Sequence, residues 1–284
     1  MPRPQRFEPS DLRAYYEANT QAFITYGEGG QSLHRAIRAP GVTDKAGAFH
    51  YVDELILKQL PTTEAEPRVL DLGCGVGASL LWLADRAPLE GVGVTVSPFQ
   101  VRWARQEAEK SGLAARLQFR EASFTELPED LGTFDLAYAI EAFVLSPSPT
   151  LFLQGVSRHL RVGAKLVIVD DFLSERGAAT TTGRGARWIR EFRAGWMASS
   201  VISVAQLEQE ALTHGLHITQ NEDLTPYLEL RRPRDLLISA LVSVGRPLPI
   251  RSQRWLSWLG GNGLQLGLAN GFLDHRCIVL EHHA

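Results

Sequence analysis

The sequence predicts a doubly wound α/β fold, a mostly parallel sheet with helices on both faces. Three observations point there. Val69-Leu70-Asp71-Leu72 is a short, apolar, β-prone run of the kind that suits a buried parallel strand, and it stops at glycine. A helical pattern starts at Ala78, directly after Gly73, Gly75 and Gly77. Runs of this kind then alternate with helical patterns down the chain, the order of a βαβ sheet. A chain of 284 residues is long enough for one large domain or for a domain with an added lid.

Composition narrows the class. A hydrophobic fraction of 44% and a charged fraction of 21% are those of a soluble globular protein. The net charge of −3 gives no reason to expect nucleic acid or an anionic membrane as partner. Cys74 and Cys277 are far apart, and a disulfide at Cys74 would disrupt the glycine loop, so a reducing cytoplasm is expected. Residues 1–11 carry charge and three prolines without an apolar core, so no signal peptide is expected. No uncharged apolar run approaches membrane-spanning length, so stable membrane insertion is not expected.

Taken in order, residues 1–9 read as a loose tail. Ser10 or Asp11 caps a helix through Leu12, Tyr15, Tyr16 and Asn19, which Gly27, Gly29 and Gly30 break. Residues 31–38 resume the helix until Pro40-Gly41. Thr43-Asp44 caps another helix through Phe49, Val52, Leu55, Ile56 and Leu60, whose spacing gives one apolar face. After the strand at 69–72, further strands are expected at 91–96, 117–120, 136–140, 165–169, 216–221 and 276–280, seven in all. The intervening helices are placed at 98–111, 151–160 and 204–214. Residues 172–186, rich in Gly, Thr and Ala, read as a mobile connection. Trp188, Phe192, Trp196 and Met197 follow at near-helical spacing, and 226–274 is a further insertion rich in Leu and Trp. The expected organisation is a cap over 1–60, a core over 61–224, a lid insertion over 225–275 and a final strand with the C-terminus over 276–284.

The turn after the first strand carries the chemistry. Its glycines allow positive φ and close approach of a ligand to the backbone, and the helix start offers unpaired N–H groups. Such a cradle lies where open α/β sheets bind ligands, at the carboxyl ends of the strands. A dinucleotide fingerprint needs G-x-G-x-x-G, whereas here the glycines alternate as D-L-G-C-G-V-G. This resembles the first motif of class I S-adenosylmethionine-dependent methyltransferases. G-V-T-V-S-P-F-Q at 93–100 is similar to G-I-T-L-S-x-x-Q in the branch acting on sterols, tocopherols, isoprenoid diphosphates and related natural products. F-D at 134–135 and L-R-V-G-A-K at 160–165 fit the same family.

The resemblance implies a Rossmann-like sheet with its last strand antiparallel, a helical cap or lid, and S-adenosylmethionine as cofactor. It places Asp71 near the methionine amino group, with Gly73, Cys74, Gly75 and Gly77 against methionine and ribose. Thr95, Ser97 and Gln100 take the ribose side, where many nucleotide sites have an acid. Ser97 is also a good helix cap in its own right. Ala122 and Ser123, with Phe124, bracket adenine, and Ala139 on the fourth strand is a further cofactor-binding candidate. Y-Y-E-A-N-T and L-H-R-A resemble the family's cap and put Tyr16 and His34 near the methionine carboxylate. Packing and surface roles remain open for both.

Glu141 stands at the methyl end as candidate base, with Tyr26 and Glu28 as further candidates. The serine and histidine that relatives place after this glutamate are missing. Asp135 reads as a turn residue, and Asp170-Asp171 either position a substrate or are plain loop acids. No metal ligand set stands out. Arg231, Arg232, Arg234, Arg246, Arg251 and Arg254 interleave with apolar residues. They suit either a lipophilic acceptor with an anionic end or an amphipathic lid whose arginines reach into water. The expected reaction is methyl transfer to a small lipophilic acceptor, at carbon, with oxygen or nitrogen as alternatives. A homo-oligomer is compatible with the sequence. A non-catalytic binding module and a nicotinamide oxidoreductase remain as other classes.

Overall fold

Seven strands form one sheet in the order β3-β2-β1-β4-β5-β7-β6. They are β1 (Arg68–Leu72), β2 (Glu90–Thr95), β3 (Leu117–Glu121), β4 (Phe134–Ile140), β5 (Leu160–Leu173), β6 (Leu216–Asp223) and β7 (Leu273–His282). The computed structural model describes residues 9–26, 34–62, 65–246 and 252–284. β1 through β5 pair in parallel, and β7 runs antiparallel between β5 and β6. The doubly wound sheet with an antiparallel last strand is therefore present.

Both faces of the sheet are covered, which is why β1, β4 and β5 read as nearly continuous apolar runs. On one face α5 (Pro149–Ser157) and α8 (Val204–Leu212) bury Phe152, Leu153, Leu207 and Ala211 against Leu70, Leu72 and Ile168. On the other, α2 (Lys45–Leu57), α3 (Ala78–Arg86) and α4 (Pro98–Lys110) bury Val52, Ile56, Leu80 and Val101 against Val69, Leu136 and Val167. Local chemistry sets the helix starts. Asp44 accepts from Gly47 N–H at 2.7 Å, and Ser97 accepts from Gln100 N–H at 3.2 Å with Pro98 in the first turn.

Above the carboxyl ends of β1, β4 and β5 lie the remaining helices. They are α1 (Pro9–Tyr26), α6 (Glu175–Ala179), α7 (Gly183–Gly195), α9 (Pro233–Gly245) and α10 (Gln253–Ala269). α7 and α10 pack at very short range, since a Cβ on Gly195 would lie 2.2 Å from the Leu256 carbonyl. Their small core contains Phe192, Leu264, Leu268 and Leu273.

The structure departs from expectation in three stretches. Residues 34–38 are not helical; Ile37 forms an isolated bridge with Leu228, and its N–H donates to Ala48 O at 2.7 Å. Residues 172–186 are not a plain connection, because β5 runs on to Leu173 and α6 follows at once, capped by Ser174. β7 starts at Leu273, three residues before the run that marked it. Of the expected tail over 1–9, Pro9 instead opens α1, and residues 1–8 lie outside the described residues, as do the glycine break after Tyr26 and Arg251. Among the described residues no helix is long and apolar enough to cross a membrane.

Candidate active site

A cavity of about 340 Å³ opens at the carboxyl ends of β1, β2, β4 and β5. Asp71, Gly73, Cys74 and Gly75 form its floor, and Thr95, Gln100, Ser123 and Phe124 one side. Tyr16, His34, Arg35 and Glu141 close over it. The far end is apolar, with Val144, Leu145, Pro147, Phe192 and Trp196.

The glycine loop has the backbone that its spacing demands. Gly73, Gly75 and Gly77 all have positive φ. Gly77, at φ +83°, is the N-cap of α3, and a Cβ there would meet the Phe119 ring at 2.7 Å. It therefore packs the loop onto β3 while Gly73 and Gly75 face the cavity. Asp71 accepts from the Tyr138 hydroxyl at 2.8 Å, and burial raises its pKa to about 8. Burial likewise raises the Tyr16 phenol, with Tyr15, Glu141 and Asp170 adding to the shift.

At the β2 end the polar groups are already tied. Thr95 Oγ1 donates to Gln100 Oε1 at 2.6 Å, and Gln100 Nε2 donates to Thr20 Oγ1 on α1 at 3.1 Å. Ser97 does not line the cavity. Its hydroxyl donates to Glu17 at 2.6 Å while capping α4, and Phe99 N–H donates to the same glutamate oxygen at 3.1 Å. The capping role is thus the one that the geometry displays, and an acid from α1 arrives where β2 ends in threonine. Ala122, Ala139 and Gly77 also lie behind the wall and do not line it. Glu28 lies outside the described residues, as does the side chain of Tyr26.

A buried charge network occupies the middle. Arg35 donates its backbone N–H and its Nε–H to Glu141 Oε1 at 3.0 and 2.9 Å. Its Nη2 donates to both oxygens of Asp171 at 2.8 Å and lies 2.9 Å from His275 Nδ1. Burial works against ionisation of both acids, but the Arg35 charge outweighs it and holds Glu141 and Asp171 below the usual carboxylate range. Glu141 has φ +49°, a conformation rare outside glycine and often found at functional sites.

Asp170 differs from its neighbours. Its oxygens accept from Val144 N–H at 3.0 Å and Asp171 N–H at 2.8 Å, and among the described residues no cation pairs with it. Burial, with Asp171 and Glu141 close by, holds it well above the ordinary value. Asp170 and Asp171 are buried strand residues and not loop acids. Asp135 lies in β4 and not in a turn, and its role is structural: it accepts from Arg68 N–H at 2.8 Å and pairs with Arg161.

Sequence reasoning did not find Arg35, Asp171 or His275 as one unit. They are separated by 136 and 240 positions from Arg35, and no local pattern links them. The signal that existed was the L-H-R-A segment, in which Arg35 follows His34.

The residues present fit the cofactor that the glycine loop implies. His34 Nδ1 donates to Arg35 O at 3.2 Å, and its Nε2, buried at the cavity wall without a hydrogen-bond partner among the described residues, donates to a carboxylate when the ring carries both hydrogens. Asp71, once ionised, suits an ammonium group, and the glycine backbone lets a ligand approach. Among the described residues no three His, Cys, Asp or Glu side chains are arranged to hold a metal.

Comparison with known proteins agrees with this geometry. Residues 69–163 match the methyltransferase domain family. The chain is 40% identical over 103 residues to erythromycin 3''-O-methyltransferase of Saccharopolyspora erythraea, covering 36% of this chain and 34% of that protein. It spans between about a third and a half of the length of the curated relatives it matches. The cyclase SpnF superposes with a TM-score of 0.75 at 18% identity, covering 99% of this chain and 98% of that one. Geranyl diphosphate C-methyltransferase of Streptomyces coelicolor, solved with Mg2+, geranyl diphosphate and S-adenosyl-L-homocysteine, superposes with a TM-score of 0.72 at 16% identity, covering 99% and 100%. At these identities the superpositions speak for the fold. Glycine loop, sheet order and family match together make residues 69–163 a methyltransferase domain of the class I, S-adenosylmethionine-dependent kind.

Proposed function

We propose that this protein transfers a methyl group from S-adenosylmethionine to a small, neutral, lipophilic natural product. One observation carries the reading: a single cavity joins the glycine loop and Asp71 to the buried acids and then to the apolar wall of Phe192 and Trp196. The cofactor supplies a methyl group that is already electrophilic, so alignment is the protein's main task, and good alignment contributes about 7–11 kcal/mol. In this reading Asp71 receives the ammonium group, and His34 with Tyr16 receives the carboxylate. Thr95 and Gln100 face the ribose, and Ser123 with Phe124 faces the adenine. The apolar wall takes the body of the acceptor and keeps out water.

The acceptor gains a methyl group and must release a proton. Asp170 is the acid that we assign to this step, in place of Glu141. It lies on the cavity wall and no described cation opposes it, and its raised pKa makes its ionised form, the form that must be present to accept the proton, a stronger base than Glu141. Glu141 stays ionised against Arg35 and provides a fixed negative charge. Methylation at carbon is the reading we favour, because an alkene acceptor becomes cationic and two aromatic rings, Phe192 and Trp196, line its end of the cavity. Oxygen is the second reading, supported by the identity to an O-methyltransferase. The acceptor is read as neutral because the charge of Arg35, the arginine that lines the cavity among the described residues, is balanced by Glu141 and Asp171; its buried Nη1 has no hydrogen-bond partner among the described residues and can donate to a neutral oxygen of the acceptor.

The first test is calorimetric titration with S-adenosylmethionine and S-adenosylhomocysteine. Labelled methyl transfer to a panel of polyketides, sterols and prenyl diphosphates follows. Saturable binding of both cofactor forms and transfer to a neutral member are expected. Asp170→Asn should then lower turnover by roughly 10²–10⁴-fold with binding of S-adenosylhomocysteine unchanged, and Glu141→Gln should lower it less. Absence of binding would remove the reading, and transfer to prenyl diphosphates alone would replace the neutral acceptor by an anionic one.

A further inference from the structure

We infer that α9 and the first turns of α10 form a docking face for an anionic lipid bilayer, held by shallow insertion of apolar side chains. The face stands on its own observations, whether or not the proposed reaction is correct. Among the described residues nine large hydrophobic side chains are exposed, and six of them lie here: Leu236, Leu237, Leu241, Val244, Leu256 and Trp258. Such clustering is unlike the scattered exposed leucines of an ordinary surface. Leu237, Leu241 and Val244 fall at i, i+4 and i+7, so they form one stripe along α9. In α9 only Val242 and Gly245 are buried, so most of the helix stands out from the body. Its end is fixed by the Trp255 ring, which lies over Gly245. That contact brings the first turn of α10 against the end of α9.

Charge selects the occupant. Between 230 and 269 the described residues carry five arginines, Arg231, Arg232, Arg234, Arg246 and Arg254, against one acid, Asp235. Asp235 pairs with Arg232 and Glu191 of α7 pairs with Arg246, so five arginines meet two acids and this end stays positive while the chain as a whole carries −3. Arg231 and Arg234 are exposed at one end of the stripe and Arg254 beyond the other. Leucines on one face, a tryptophan and flanking arginines are the pattern of a helix lying in a membrane interface. A second copy meeting this face through a two-fold axis would bring arginine against arginine, which disfavours that occupant. The location also suits a lipophilic acceptor, because Ser257 lines the cavity between the exposed Leu256 and Trp258.

The test is co-sedimentation of the full chain with vesicles of phosphatidylcholine, alone and mixed with phosphatidylglycerol. Pelleting with the mixed vesicles, weakening as salt rises, is expected. The pair Leu241→Glu and Val244→Glu should weaken vesicle binding about tenfold or more, with S-adenosylhomocysteine affinity and thermal midpoint unchanged. Both side chains are exposed, so folding should survive. The inference is overturned if wild type stays in the supernatant with mixed vesicles at low salt, or if the substituted chain pellets as well as wild type. It is also overturned if light scattering shows a dimer that these substitutions dissociate while vesicles bind nothing; a second copy would then cover the face.

Discussion

Asp71 is asked for two things that oppose each other. Ligand-free, it is buried beside Tyr138 and favours its protonated form, with a pKa of about 8. As the receiver of an ammonium group it must be ionised. Affinity for S-adenosylmethionine should therefore fall as pH drops below 8, by at most roughly tenfold per unit, with proton release on binding. Calorimetry in buffers of different ionisation enthalpy reads this directly. The sign for stability is opposite. The folded pKa is raised, so the stabilisation from holding this proton is present below about pH 4 and is lost as pH rises through 8. Asp71→Asn should flatten that loss in thermal melts of the ligand-free protein and should weaken cofactor binding. A variant that binds S-adenosylmethionine like wild type would take Asp71 out of the site. Residue-scale legibility was uneven. Asp71 was readable because a strand, an acid and a glycine turn are contiguous. Ser97 was read on the ribose side and as a helix cap; the cap was legible from Ser-Pro, and the tie to Glu17 was not, because Glu17 comes from a helix 80 positions away.

The segment from His34 to Ala39 shows the same limit for an element. Its sequence suggested helix, and tertiary contacts override that suggestion. Ile37 bridges Leu228, Arg38 N–H donates to Tyr227 O at 2.9 Å, and Arg35 is locked between Glu141 and Asp171. Removing Arg35 would leave two acids buried without their main counter-charge. Arg35→Ala should cost about 3–5 kcal/mol at neutral pH, measured by urea unfolding. Glu141 and Asp171 have lowered folded values, so the stabilisation they provide is present above the unfolded range and is lost as pH falls. The gap between wild type and Arg35→Ala should thus narrow as pH drops below about 4. An equal gap at both pH values would mean that the arginine acts through packing alone. β1, α3 and α4 needed no such context, because strand run, glycine turn and Ser-Pro cap are each local signals.

For the whole molecule, the sheet was legible because parallel strands buried on both faces leave apolar runs, separated by helices at regular intervals. The net charge of −3 was legible too, yet it hid the positive end around α9, since a sum carries no position. The closure of the cavity was not legible, because its roof comes from three distant parts: α1 with residues 34–35, α7, and α10. Polar ties hold the amino-terminal part down at three strand ends: Arg13 to Glu121 of β3, Glu17 and Thr20 at the β2 end, and Arg35 at the β5 end. A roof held by few contacts should be stabilised by what it covers. Saturating S-adenosylhomocysteine, at about one hundred times its dissociation constant, should add about 2.7 kcal/mol to unfolding. Hydrogen exchange locates that gain. Amides of α1 and of residues 34–39 should slow together with those of the β1–α3 loop, while β6, far from the cavity, should stay unchanged. Slowing confined to the glycine loop would mean that the cofactor binds beneath a roof indifferent to it, and the ties at Glu17 and Arg35 would then serve folding alone.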